Sequence, residues 1–266
     1  SRRQSFRQWL LPAEFNTAVA ALNKGSNGEA WLTANQLQDL QDQILCQPNR
    51  TLLEANEAVQ KLLFKAQVDV NETTGEQDPV VKLIDFANPE NNHFLAINQF
   101  RIDTPGCVKQ FMVADIVLFV NGIPLIVVEC KKGGPTCANP MFEAFEQLQR
   151  YMNRREDTKK HGLKEGEPRL FHTNMMLIRT CGNEADYGMF TSGLEHFYPW
   201  KTQWPEKARG QFFNLMGAFD AFAAVFVKFG AGAGQWEAQG AQGRRGPGGP
   251  ARKVSGRAFR PRWRHR

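Results

Sequence analysis

The sequence contains no apolar run of 18 or more residues, so no segment is expected to span a membrane, and a membrane is not among the expected partners. Its five cysteines are odd in number, widely scattered and never spaced as Cys-x-x-Cys, which excludes a disulfide framework and a zinc site. The N-terminus has no long apolar core and no small-residue cleavage site, so it is not a secretory signal. We therefore expect free thiols and a cytoplasmic location.

Charge is unevenly distributed along the chain, although the overall formal charge is +6. Residues 231–266 carry nine Lys and Arg against one Glu, so residues 1–230 sum to −2. The net charge of residues 1–230 therefore does not favour nucleic-acid binding, and any affinity of these residues for DNA would have to come from local patches of basic side chains. Residues 231–266 are rich in Gly, Arg and Pro without an apolar period, which predicts a disordered basic tail. Such a tail is either a solvated segment or a nucleic-acid-binding arm.

Apolar periodicity divides the rest of the chain into three segments. Residues 1–75 predict amphipathic helices, residues 76–205 predict the strands and helix of a core, and residues 206–230 are a helix candidate. Within the core, the patterns indicate strands over 79–86, 94–102 and 174–180, a hairpin over 111–131, and a helix over 141–153. We expect the hairpin at the centre of the sheet and the helix packed on it through an apolar face formed by Met141, Phe145, Leu148 and Met152.

The hairpin segment, FMVADIVLFVNGIPLIVVECKK at 111–132, consists of two apolar runs separated by Asn121-Gly122, the strongest short signal for a hairpin. It carries Asp115 inside its first run, and Glu129 and Lys131 at its end. A carboxylate in such a run is costly to bury unless a salt bridge or a metal compensates its charge. One explanation is a buried ion pair between Asp115 and Lys131, with Glu129 at a strand end. The other is a metal site.

The spacing of Asp115, Glu129 and Lys131 is typical of a metal-dependent nuclease site on a hairpin. Phosphodiester hydrolysis is assisted by Mg²⁺, a hard cation that prefers oxygen ligands. The two carboxylates and the backbone carbonyl of Cys130 could supply three of them. Glu129 and Lys131 are two residues apart on a strand, so their side chains leave the same face, where Lys131 would hold the attacking water.

This site sets a condition on strand register. A plain two-residue turn would pair Val120 with Ile123 and place Asp115 opposite Val128, on the face away from Glu129. The site therefore requires a three-residue connection or a β-bulge, either of which shifts the register by one and pairs Asp115 with Glu129.

The hairpin and its surroundings resemble the N-terminal nuclease domain of type I restriction endonuclease R subunits, which has the PD-(D/E)xK fold. ADIVLFVNGIPLIVVECKK is similar to the family's hairpin, with Asp115, Glu129 and Lys131 at the catalytic positions. Gln147-Leu-Gln-Arg-Tyr151 is similar to its Gln-x-x-x-Tyr helix, which implies that Gln147 and Tyr151 support the site or contact the DNA backbone. The resemblance extends from residue 1 to about residue 206.

The resemblance implies an α/β fold with a restriction-endonuclease-like mixed sheet flanked by helices. It also implies a Mg²⁺-dependent endonuclease that acts on double-stranded DNA together with methylase and specificity subunits. ATP belongs to the motor domains of the full-length family, because this chain has no Gly-x-x-x-x-Gly-Lys-Ser/Thr loop. Two alternatives stay open: a catalytically silent DNA-binding or scaffold module of the same fold, and a small-molecule enzyme with Asp115 and Glu129 as an acid/base pair.

Overall fold

A computed structural model describes residues 3–135, 137–181 and 184–200, together with the backbone of residues 236–239. Three helices precede the main sheet, and two more follow its central hairpin. They are α1 (Pro12–Leu22), α2 (Ala34–Leu45), α3 (Leu52–Lys65), α4 (Pro140–Tyr151) and α5 (Glu156–Lys160).

The strands form a small antiparallel pair and one large mixed sheet. The pair consists of β1 (Ala66–Gln67) and β2 (Val80–Val81). The strands of the large sheet are β3 (Phe94–Asp103), β4 (Phe111–Val120), β5 (Ile123–Cys130), β6 (Met176–Thr180), β7 (Ala185–Gly188), β8 (Tyr198–Pro199) and β9 (Trp236–Gln239). Their order is β8-β7-β6-β5-β4-β3-β9, and pairing is antiparallel except between β5 and β6 and between β3 and β9. This confirms the predicted mixed sheet flanked by helices, with a restriction-endonuclease-like arrangement.

The hairpin of β4 and β5 lies in the interior of the sheet, as the sequence predicts. Its strands are apolar in nearly continuous runs, which is the pattern of strands covered on both faces. Val127 and Val128 are both buried, so neither face of β5 is open to water at these positions.

Helix α4 supplies the crossover between the parallel strands β5 and β6, a connection that antiparallel neighbours do not need. The helix begins at Pro140, and the side chain of Asn139 caps it by accepting a hydrogen bond from Phe142 N. Its buried residues include Met141 and Leu148, two of the positions predicted to form its apolar face. Helix α4 contacts β5 and β6, so it packs against the hairpin as predicted.

The predicted strand over 79–86 is wrong beyond Val81, because the chain turns there. The Oδ1 atom of Asp85 accepts hydrogen bonds from the backbone N–H groups of Ala87 and Asn88, and its backbone N–H donates to Asn92. These local bonds compete with strand pairing, as Asp and Asn side chains commonly do.

No helix within the described residues has the length and apolar character needed to cross a membrane. The helix candidate at 206–230 lies outside the described residues. Within the segment 231–266, residues 236–239 form β9, which differs from the disorder expected at these four positions. The remainder of that segment lies outside the described residues, and its disorder and the segment boundaries stay predictions.

Candidate active site

The hairpin that carries the candidate site has a two-residue turn. Asn121 and Gly122 both lie in the left-handed region, with φ of 51° and 77°, and Val120 pairs with Ile123. This is the pattern of a type I′ turn, for which Asn-Gly is the preferred pair. The register could have been shifted by a three-residue connection or by a β-bulge, and this hairpin does not have the three-residue connection.

A β-bulge at Leu125 provides the shift instead. Phe119 pairs with Pro124, but Leu118 pairs with Ile126, so Leu125 is an extra residue on β5. The bulged carbonyl is satisfied from outside the hairpin, because it accepts hydrogen bonds from Met175 N at 2.8 Å and from the side chain of Asn174 at 3.3 Å.

Below the bulge, the register brings the two carboxylates to the same face. Ile116 pairs with Val128, so the next positions along the strands, Asp115 and Glu129, oppose each other. The condition that the sequence sets on the register is thus met by the bulge.

Asp115 is half-buried and is held by two N–H donors. Its Oδ1 atom accepts a hydrogen bond from Gln99 Nε2 at 2.9 Å, and its Oδ2 atom accepts one from the backbone N–H of Cys130 at 2.8 Å. Lys131 does not pair with Asp115 among the described residues, since its Nζ lies 2.7 Å from Oε1 of Glu129. The predicted alternative of an Asp115–Lys131 ion pair is therefore wrong.

Glu129 is 1% exposed, and its carboxyl group lies near the negative charge of Asp115 and the positive charge of Lys131. Burial, and then the nearby charge of Asp115, raise its pKa to about 7. The hydrogen bonds from Lys131 and from the Tyr151 hydroxyl, which lies 3.1 Å from Oε2, act in the opposite direction. A buried carboxyl group beside another carboxylate is characteristic of sites that bind a cation or move a proton.

The structure brings the helical pair Gln147 and Tyr151 to this site. The Tyr151 hydroxyl lies within hydrogen-bonding distance of both the Val113 backbone carbonyl and Oε2 of Glu129, so its single proton is shared between these two acceptors. The hydroxyl oxygen accepts a hydrogen bond from Gln147 Nε2 at 2.9 Å. Burial, and then the charge of Glu129, raise the pKa of the Tyr151 hydroxyl, so it stays protonated. Both predicted residues therefore lie at the site, where Tyr151 joins α4 to the two strands that carry the carboxylates.

The donor set fits a hard divalent cation. Asp115 and Glu129 offer carboxylate oxygens on one face, and the Cys130 carbonyl lies between Glu129 and Lys131 in the chain. In the part of the chain that the structure describes, no group of three or more His, Cys, Asp or Glu side chains could hold a metal. A cation bound here would therefore depend on two carboxylates, a backbone carbonyl and water, which is the ligand pattern that suits Mg²⁺.

Gln99 is a site residue that the sequence analysis missed. It lies opposite Asp115, between the pairs Asn98–Ile116 and Phe100–Ala114, and its φ is 51°. A non-glycine residue with positive φ inside a strand is uncommon. Its position beside Asp115 follows from the antiparallel register between β3 and β4 and from its own backbone conformation, neither of which is marked by a sequence motif.

Comparison with known proteins places the chain among restriction enzyme subunits. The family model for the type I restriction enzyme R protein N terminus (HSDR_N) matches residues 1–207. A protein of Methanocaldococcus jannaschii named as the endonuclease subunit of type I restriction enzyme MjaIXP is 26% identical over 202 residues, covering 76% of this chain and 18% of the relative. The type I restriction enzyme HindI endonuclease subunit of Haemophilus influenzae is 32% identical over 151 residues, covering 56% of this chain and 13% of the relative.

The mixed sheet, with opposed carboxylates on its central hairpin, defines a restriction-endonuclease-like α/β fold. The chain belongs to the family of type I restriction enzyme R protein N-terminal regions, because the family model covers residues 1–207 of its 266. The extent of the predicted resemblance is confirmed. The chain spans less than a fifth of the length of these two curated relatives.

Proposed function

We propose that this chain is an endonuclease region that hydrolyses phosphodiester bonds of double-stranded DNA with the help of Mg²⁺. The observation that supports it is the opposition of Asp115 and Glu129 across the bulged hairpin, with Lys131 bonded to Glu129. Membership of the R-subunit family and the names of the two relatives support the same reaction class.

In this proposal Asp115, Glu129 and the Cys130 carbonyl hold Mg²⁺, which would polarise the phosphoryl oxygens and supply a reactive water at neutral pH. Lys131 places a positive charge at the carboxylate pair and offsets the negative charge that grows on the phosphate. Its Nζ is already within 2.7 Å of Glu129, so little reorganisation is needed. Tyr151 and Gln147 fix the position of Glu129 from the side of α4.

The assembly that uses this region belongs to the proposal as well. We propose that it works in the cytoplasm beside methylase and specificity subunits, and that ATP is used by motor domains outside this chain. The two relatives are much longer than this chain, which supports the presence of additional domains in such a subunit.

The proposal is tested by three substitutions in a reconstituted complex: Asp115→Asn, Glu129→Gln and Lys131→Gln. Each should reduce DNA cleavage by several orders of magnitude, because the site acts as one unit, while ATP-driven translocation continues. Asp39→Asn, an exposed carboxylate on α2, is the matched control and should cleave normally. Cleavage at the parent rate by any of the three site variants would contradict the proposal. Loss of cleavage by the control would do the same, since the effect would then not be specific to the site.

A further inference from the structure

A surface groove of about 490 Å³ adjoins the candidate site, and we call it the Arg150 groove. Two cations, two amides and two apolar side chains line it, and no carboxylate does. The lining residues are Lys109, Gln110, Phe111, Val113, Gln147 and Arg150.

Arg150 is the unusual member of this groove. The residue is 8% exposed, and its Nε is buried without a hydrogen-bond partner. Among the described residues no carboxylate pairs with its guanidinium, which instead lies 5.2 Å from the centre of the Tyr151 ring. A buried charge without a counter-ion is costly, so the free protein maintains a cation here that lacks its anion.

The groove opens on the same face as the candidate site. Phe111, Val113 and Asp115 alternate along β4, so their side chains leave the same side of the sheet. Gln147, Arg150 and Tyr151 are spaced along one face of α4, where Gln147 is hydrogen-bonded to Tyr151 and Tyr151 to the Val113 carbonyl. The groove and Asp115 therefore lie on the same side of the sheet, with Glu129 buried opposite Asp115.

We propose that the Arg150 groove binds a backbone phosphate of the DNA strand whose neighbouring phosphodiester lies at Asp115 and Glu129. This inference rests on the proposed nuclease function. The guanidinium fork of Arg150 matches phosphate oxygens. Lys109 adds a second cation, which is exposed, and the two amides add further hydrogen-bond donors.

The dimensions suit a DNA strand. Residues two apart along a strand are separated by about 7 Å, so Phe111 and Val113 lie about 14 Å and 7 Å from Asp115. A DNA strand presents a phosphate about every 3.4 Å of helix axis, so a backbone passing the carboxylate pair also passes the groove. The apolar walls formed by Phe111 and Val113 would face sugar rings between phosphates.

The test measures binding of a fluorescein-labelled DNA duplex to the intact chain in EDTA, by fluorescence anisotropy over a range of salt concentrations. Lys109→Gln, Arg150→Gln and Arg150→Lys are compared with Lys61→Gln, an exposed lysine on α3 that serves as the charge-matched control. Losing one phosphate contact should lower the slope of log Kd against log salt by about one, independently of DNA sequence. We expect this for Lys109→Gln and Arg150→Gln, a smaller change for Arg150→Lys, and no change for the control.

Lys109 is exposed, so Lys109→Gln keeps the test decisive even where substitutions of Arg150 lower the yield of folded protein. Unchanged slopes would overturn the proposal. If inorganic phosphate then raised the melting temperature of the parent but not of Arg150→Gln, the groove would take a free anion only. The slopes could instead stay unchanged while Lys109→Gln no longer assembles with the methylase and specificity subunits. The partner of the Arg150 groove would then be an acidic protein surface, which also overturns the proposal.

The outcome is separate from that of the nuclease test, because binding in EDTA requires no cleavage. A reduced salt slope supports the phosphate subsite even where Asp115→Asn still cuts DNA, and in that case only the assignment of the reaction fails.

Discussion

The two carboxylates of the candidate site oppose each other but lie in different surroundings. Asp115 is half-buried and accepts two N–H hydrogen bonds, whereas Glu129 is almost completely buried and contacts Lys131 and Tyr151. Burial and the charge of Asp115 raise the pKa of Glu129 to about 7, so the protonation of Glu129 is coupled to folding. A group whose pKa differs between the folded and unfolded states makes stability depend on pH.

Glu129 should make the free energy of unfolding of the metal-free protein fall as pH rises from about 4.5 to about 7, whereas His172, whose pKa is lowered by burial, acts in the opposite direction. In this window the folded state holds a proton on Glu129 that the unfolded state has lost, so raising the pH favours unfolding. At about 1.4 kcal/mol per pKa unit, the contribution of Glu129 to this change is on the order of 3 kcal/mol. Urea unfolding in EDTA at a series of pH values measures it.

Glu129→Gln should remove this fall, and Asp115→Asn should move it to lower pH by removing the neighbouring charge. Glu57→Gln, an exposed carboxylate on α3, should retain the parent profile. A fall that persists in Glu129→Gln would assign the titration to another group.

At the scale of elements, the hairpin turn is fixed by the parts of the chain around it. Asn121 is fully buried, and its side-chain amide donates to the Leu83 carbonyl and to Asn92, both at 2.8 Å. The Gly122 carbonyl accepts a hydrogen bond from Leu11 N at 3.0 Å, which joins the turn to the start of α1. A Cβ on Gly122 would lie 2.6 Å from the Leu11 carbonyl oxygen. The turn therefore needs glycine for two reasons, its backbone conformation and its packing.

Gly122→Ala and Gly106→Ala separate these reasons. Both glycines have positive φ, of 77° and 82°, but a Cβ on Gly106 meets nothing within 4 Å. Gly106→Ala should cost only the conformational strain, about 1–2 kcal/mol. Gly122→Ala should cost at least about 1–3 kcal/mol more, because the backbone of α1 has to move. Chemical denaturation of both variants measures the difference, and equal losses would show that packing at the turn contributes nothing.

The sequence predicts the hairpin and the need for a register shift, but it does not predict which device provides the shift. Asn121-Gly122 indicates a two-residue turn through local backbone preferences. The bulge depends on hydrogen bonds from Met175 and Asn174 to the Leu125 carbonyl, and these residues are about fifty positions further along the chain. The unpaired guanidinium of Arg150 was missed for a related reason, because the missing counter-ion is visible only when the neighbours are known.

The distribution of charge is the main property at the scale of the whole molecule. Residues 1–230 sum to −2, so DNA would meet the folded part through a local surface such as the Arg150 groove. All nine basic residues of the segment 231–266 follow residue 243, whereas β9 ends at Gln239. The basic charge of this segment can therefore be removed without removing the strand that pairs with β3.

Truncation of residues 240–266 should weaken DNA retention at low salt and leave the melting temperature nearly unchanged. Nine positive charges are lost, so the effect should shrink as salt rises. Truncation of residues 231–266 is the comparison, because it also removes the four residues of β9. Retention on a heparin or DNA column and thermal melting measure the two properties. A large fall in melting temperature for the shorter truncation would mean that the basic segment packs on the core.

Because of the bulge, the number of residues between Asp115 and Glu129 decides whether their side chains share a face of the sheet. Asp115 and Glu129 are separated by an even number of positions, and across a two-residue turn they share a face only because Leu125 adds one unpaired residue. While the bulge is retained, a single insertion or deletion elsewhere between them turns Glu129 away from Asp115, although every motif residue is still present. A matching insertion or deletion of one residue in the other strand restores the register in which Asp115 opposes Glu129. Divergent relatives should therefore vary in this hairpin by paired length changes, or by loss of the bulge together with one residue, and deletion of Leu125 alone should leave Asp115 opposite Glu129.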